Sequence, residues 1–85
     1  MSNLVKAQIM YKLVRKNNWG NKYDRLEHFK RFPDLDKEIK ELGKWIIIRK
    51  KPQYTGISLD TRYKKEIIEF IEKYIPDLKD VGWVQ

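Results

Sequence analysis

The chain has 85 residues, 41% of them hydrophobic and 36% charged, with a mean hydropathy of −0.74, the profile of one small soluble domain with a modest core. It has no cysteine, which excludes disulfides and thiolate metal sites, and no apolar run approaches the ~18 residues that span a bilayer. Nineteen Lys and Arg against 12 Asp and Glu give a net charge of +7, which favours a polyanionic partner such as nucleic acid or an acidic membrane surface.

The N-terminal MSNLVKAQIMYKLVRK has lysines inside its apolar positions and no small-residue cleavage site. It does not read as a signal peptide, and a cytoplasmic location is expected. A first helix is predicted over about residues 4–17, with Val5, Ala7, Ile9, Met10, Leu13 and Val14 covering a wide apolar arc. Asn17 and Asn18 suit a left-handed C-cap, and Trp19-Gly20 the turn that follows. A second helix is predicted over about 23–32, where Tyr23, Leu26, Phe29 and Phe32 recur every three residues up to Pro33.

Asp34 or Asp36 then caps a third helix over about 34–43, with Leu35, Ile39 and Leu42 at i, i+4 and i+7 and Gly43 at its end. A hairpin is predicted over about 45–59: an isoleucine-rich strand from Trp45 to about Lys50, the loop PQYTG, and a return strand Ile57-Ser58-Leu59. Asp60 or Thr61 caps a fourth helix over about 61–75, whose Ile67, Ile68, Ile71, Tyr74 and Ile75 share a face. The tail 76–85 is expected to lie on the body through Leu78, Val81 or Trp83, and Trp19 and Trp45 are expected to pack in the core or its turns.

This order, with KRFPDLDKEIKELGKWIIIRK joining the third helix to a strand and GISLDTRYKKEIIEFIEKY returning into the last helix, resembles the winged helix-turn-helix superfamily, especially small archaeal-type regulators. The resemblance implies an α+β, mostly α fold with a three-helix core and a hairpin wing. It also implies that the third helix docks in the DNA major groove while the wing touches the backbone.

The charge distribution bears on that implication. Residues 34–45 hold four acids and three lysines. On a helical wheel, however, Lys37, Lys40 and Lys44 fall opposite the Leu35/Ile39/Leu42 stripe, with Asp36, Glu38 and Glu41 on the flanks. Lys37, Lys40, Glu41 and Lys44 are the candidate recognition-helix residues, although lysines hold phosphate better than they read bases. Arg49, Lys50, Lys51, Gln53 and Tyr54 are the wing candidates. Guarding a strand edge would explain the lysines but not Gln53 and Tyr54. Asn21, Lys22 and Arg25 are candidates for a backbone clamp at the start of the second helix.

Residues 1–33 carry eight Lys and Arg plus His28 against Asp24 and Glu27, whereas residues 55–85 carry five against six. The last helix reads as an ion-paired back face through Arg62–Glu66, Lys65–Glu69 and Glu69–Lys73. His28, the one histidine, lies near Glu27 and Asp24 and reads as surface decoration rather than as a base or metal ligand. With no nucleophilic cysteine, phosphate loop or spaced ligand set, no enzyme, cofactor or metal is expected. Double-stranded DNA is the leading partner. The alternatives are a winged-helix module that docks protein, including a homodimer through the first helix or the tail, and an RNA binder.

Overall fold

The computed structural model describes residues 3–75, so the expectations for the tail 76–85 lie outside the described residues. Three helices and a three-stranded antiparallel sheet make an α+β fold that is mostly helical. α1 (Asn3–Arg15) packs against α3 (Lys64–Tyr74), α2 (Leu35–Leu42) and the central strand β3 (Thr55–Leu59). Its Ala7, Ile9, Met10 and Leu13 are fully buried, and Val5, Tyr11 and Val14 pack against the same core. The wide arc is therefore spent on three neighbours. α1 ends in a Schellman arrangement: Asn17 takes φ 58°, its N–H donates to Val14 O, and the Asn18 N–H donates to Leu13 O.

The second predicted helix does not form as an α-helix. Asp24–Arg25 is instead a short strand, β1, paired antiparallel with β3, and Leu26–Phe29 is one 3₁₀ turn. The reason lies in the spacing that suggested it. A recurrence of three is the period of a 3₁₀ helix, whereas an α-helix alternates three and four. Phe32 N–H accordingly donates to Phe29 O at 3.0 Å. Asp24 also prefers a non-helical role, since its carboxylate accepts from the Arg25 N–H, Lys16 Nζ and His28 Nδ1.

α2 begins after Asp34, which sits at φ 52° and makes no side-chain cap. Its carbonyl accepts from the Glu38 N–H. Gly43, at φ 58°, closes the helix by donating to Ile39 O and Lys40 O, a backbone position that favours glycine. β2 (Ile46–Lys50) and β3 form the predicted hairpin, with register Ile46↔Leu59 to Lys50↔Thr55 and sheet order β1-β3-β2. The hairpin closes through Lys51 N–H to Tyr54 O at 2.8 Å. Ile57 and Leu59 face the core; Ser58 is buried as well, with its hydroxyl donating to Gly20 O.

Asp60 caps the 3₁₀ turn Thr61–Tyr63 that leads into α3, accepting from the Arg62 N–H. The Arg62 guanidinium also pairs with Asp60 at 2.8 Å. That pairing replaces the predicted Arg62–Glu66 pair, because the cap carboxylate is already in place two residues away. Trp19 and Trp45 are half-buried against the core, and Trp45 meets Phe70 edge-on at 5.6 Å.

One charged group lies inside this packing. Lys6 of α1 is 7% exposed, and its Nζ lies 2.7 Å from Glu38 Oε1 and 2.7 Å from Glu41 Oε1 of α2; Glu38 is 2% exposed. The hydrogen bonds that Lys6 donates to Glu38 and Glu41 raise the Lys6 pKa, and the one accepted by Glu41 lowers that of Glu41.

Removing Lys6 alone takes from the buried Glu38 carboxylate the ammonium that lies 2.7 Å away. Lys6→Ala is therefore expected to cost about 3 kcal/mol in urea denaturation, and Lys6→Met combined with Glu38→Leu to recover most of it. The Glu41 contribution is present above its ordinary value of 4.5 and lost as pH falls through its lowered folded pKa. The Lys6 contribution is present below its ordinary 10.5 and lost as pH rises through its raised folded pKa.

Candidate nucleic-acid interface

The outward face of the sheet carries an alternation of arginine and tyrosine. Arg25 of β1 and Arg49 of β2 both register with Gly56 of β3, so the two arginines flank a position without a side chain. Cross-strand partners in a sheet share a face. The Arg25 guanidinium lies 4.6 Å from the Tyr54 ring centroid and that of Arg49 5.3 Å from the Tyr23 ring. Arg49 Nε also donates to the Tyr23 hydroxyl at 3.3 Å. Stacking on a ring restrains a guanidinium; Arg25 Nη1 also lies 3.6 Å from Glu27 Oε2 in an exposed pair, which leaves only the rest of its donor edge for a phosphate. Gly56 makes this possible, since a Cβ there would stand 3.1 Å from Tyr23 Cβ.

The rest of the hairpin tip is plain. Lys50, Lys51 and Gln53 are exposed, with Gln53 in the turn that Lys51 and Tyr54 close. Tyr54 is half-buried and Arg25 exposed, so the aromatic at the tip that edge-guarding left unexplained acts as a platform for an arginine from another strand. The clamp candidates are redistributed. Asn21 and Lys22 are exposed in the turn before β1, and Arg25 is a strand residue. With no α-helix starting there, the predicted clamp of helical N–H groups is absent, and only side chains remain.

The four α2 candidates part company. Lys37 lines an open groove of about 730 Å³ between the N-terminus of α2, the 3₁₀ turn and the hairpin, shared with Lys30, Phe32 and Tyr54. Glu27, Asp34 and Asp36 line the same groove, so its charge is mixed. Lys40 is exposed. Glu41 is tied inward to Lys6. Lys44 lies beyond the end of α2, and its Nζ rests 5.0 Å from the Tyr63 ring centroid. The predicted three-lysine ridge is thus two lysines on the helix and one carried away by the left-handed Gly43.

Asp24, His28 and Lys16 form a second polar cluster. Burial raises the Asp24 pKa, but hydrogen bonds from His28, Lys16 and the Arg25 N–H outweigh it and leave the carboxyl below its ordinary value. His28 Nδ1 lies 2.8 Å from Asp24 Oδ1, with the ring about half exposed. That contact fixes the 3₁₀ turn against β1, a tie missed in the sequence although the i, i+4 spacing of Asp24 and His28 announces it. Among the described residues no group of three His, Cys, Asp or Glu is placed to hold a metal ion, and no helix is long and apolar enough to cross a membrane.

Comparisons with protein-family models, curated proteins and solved structures find no match to this chain.

Gly56→Val should displace Tyr23 and unseat the Arg49 stack, lowering stability by about 1–3 kcal/mol. Thermal unfolding reads the loss, and the Tyr23 ring resonances should shift.

Proposed function

We propose that the protein binds double-stranded DNA, as a winged-helix regulator of transcription. In this reading α2 approaches the major groove and the β2–β3 hairpin follows the backbone; the protein acts by binding rather than catalysis. The observation that carries the reading is the pair Arg25 and Arg49, held on Tyr54 and Tyr23, with Tyr54 bordering the same groove as Lys37 of α2. That α2 and the hairpin border one groove supports the winged-helix reading.

The charges divide the labour. Glu27, Asp34 and Asp36 make the groove itself unfavourable for phosphate, so phosphate contacts fall to Arg25, Arg49, Lys50 and Lys51 around it. Carboxylates near the N-terminus of α2 suit base edges that donate, such as the cytosine amino group. Binding should therefore be dominated by backbone, with a modest sequence preference. A homodimer through α1 is less favoured, because Val5, Tyr11 and Val14 pack against the protein's own core.

Titration of a random duplex at several salt concentrations tests the reading. The logarithm of the binding constant should fall linearly with the logarithm of salt, and Arg25→Gln and Arg49→Gln should each reduce the slope by about 0.9. Absence of duplex binding at about 50 mM salt would overturn it, and a preference for structured RNA over duplex would move it to RNA.

A further inference from the structure

A second groove, of about 700 Å³, lies on the other side of Phe32, between the C-terminal half of α1 and Arg31. Tyr11 and Phe32 wall it, and Lys12, Arg15, Lys16 and Arg31 edge it; Gln8 completes the lining, and no carboxylate belongs to it. Two of the four cations are already engaged. Lys12 Nζ donates to His28 O at 2.6 Å, and Lys16 pairs with Asp24 at 3.1 Å.

The two arginines are not engaged in that way. Neither Arg15 nor Arg31 has a carboxylate within ion-pairing distance among the described residues. Each is held over an aromatic wall: Arg15 lies 5.6 Å from the Tyr11 centroid and Arg31 5.3 Å from that of Phe32. The crowding is felt by Lys12, whose pKa is lowered by burial first and then by repulsion from Lys16 and Arg31. A bound anion would relieve that repulsion. Two guanidiniums, one from α1 and one beside Phe32, lining the same concave site suit a tetrahedral oxyanion.

We propose that the groove between α1 and Arg31 is a phosphate-binding site, with Arg15 and Arg31 as its direct ligands and Lys12 and Lys16 as its electrostatic floor. The phosphate has two possible sources, a small phosphorylated compound or the backbone of a bound nucleic acid, and both present the same group. The site stands apart from the DNA reading, because its first test uses no DNA.

Calorimetric titration of the full chain with pyrophosphate, and separately with adenosine monophosphate, reads the site directly. Binding on the order of 1 mM or tighter is expected, weakened about tenfold by Arg15→Gln or Arg31→Gln and unchanged by Lys65→Gln on α3. Both arginines are exposed, so the variants should keep the wild-type circular dichroism. If the small ligands bind and leave duplex affinity untouched, the source is a small phosphorylated compound. If they compete with duplex, and Arg15→Gln also weakens duplex binding, the source is the backbone. Pyrophosphate binding that is absent, or that ignores both arginine substitutions, overturns the proposal whatever the duplex does.

Discussion

The placement of α2 rests on a single buried cation. Lys6 projects from α1 into the interface and holds Glu38 and Glu41, one helical turn apart, at 2.7 Å each. Two carboxylates at i and i+3 on one nitrogen fix both the rotation of α2 and its height along α1, which a stripe of Ile39 and Leu42 alone would leave looser. A buried ion pair is weak evidence for stability but, with its partners in place, a strong device for register. Everything that α2 presents outward follows: with Glu38 and Glu41 turned in, Lys37 and Lys40 are turned out.

The sheet solves a second problem, how to display arginines without letting them sway. Arg25 and Arg49 come from strands that are not neighbours in the sheet, and the bare position Gly56 between them gives Tyr23 its seat. Each guanidinium then rests on a ring from a different segment, Arg25 of β1 on Tyr54 of the hairpin turn and Arg49 of β2 on Tyr23 ahead of β1. Under the proposed function this preorganisation lowers the entropy lost on meeting a phosphate. It also explains a surface better suited to holding backbone than to reading bases.

Much of this was legible in the sequence. The α+β class, α1, the Gly43 stop, the hairpin and the isoleucine face of the last helix all followed from periodicity and punctuation. The segment 23–32 did not, because a strict recurrence of three was read as α-helical when it is the 3₁₀ period. Strand β1 is two residues long and leaves almost no local signal; its partner lies more than thirty residues away in β3. The inward charges have a signature in the sequence. Lys6 shares the i, i+4, i+7 stripe of Met10 and Leu13, and Glu38 sits between Leu35 and Leu42 at i+3 and i+7. A lysine on one apolar stripe and a glutamate on another is the mark of a buried pair. Among the candidate site residues, Arg49 to Tyr54 lie at the end of the β2–β3 hairpin, whereas Glu41 is drawn to Lys6 and Lys44 lies beyond the end of α2.

The central claim is that α2 and the arginine–tyrosine face form one continuous surface for a duplex. Mapping amide shifts in a ¹⁵N-labelled protein titrated with a short duplex at low salt tests this most directly. The account predicts that the perturbed amides cluster at Lys37, Lys40, Arg25, Arg49 and Tyr54, while those of Lys65, Glu69 and Lys73 on the outer face of α3 stay still. Perturbation confined to α3, or spread evenly over the molecule, would contradict it.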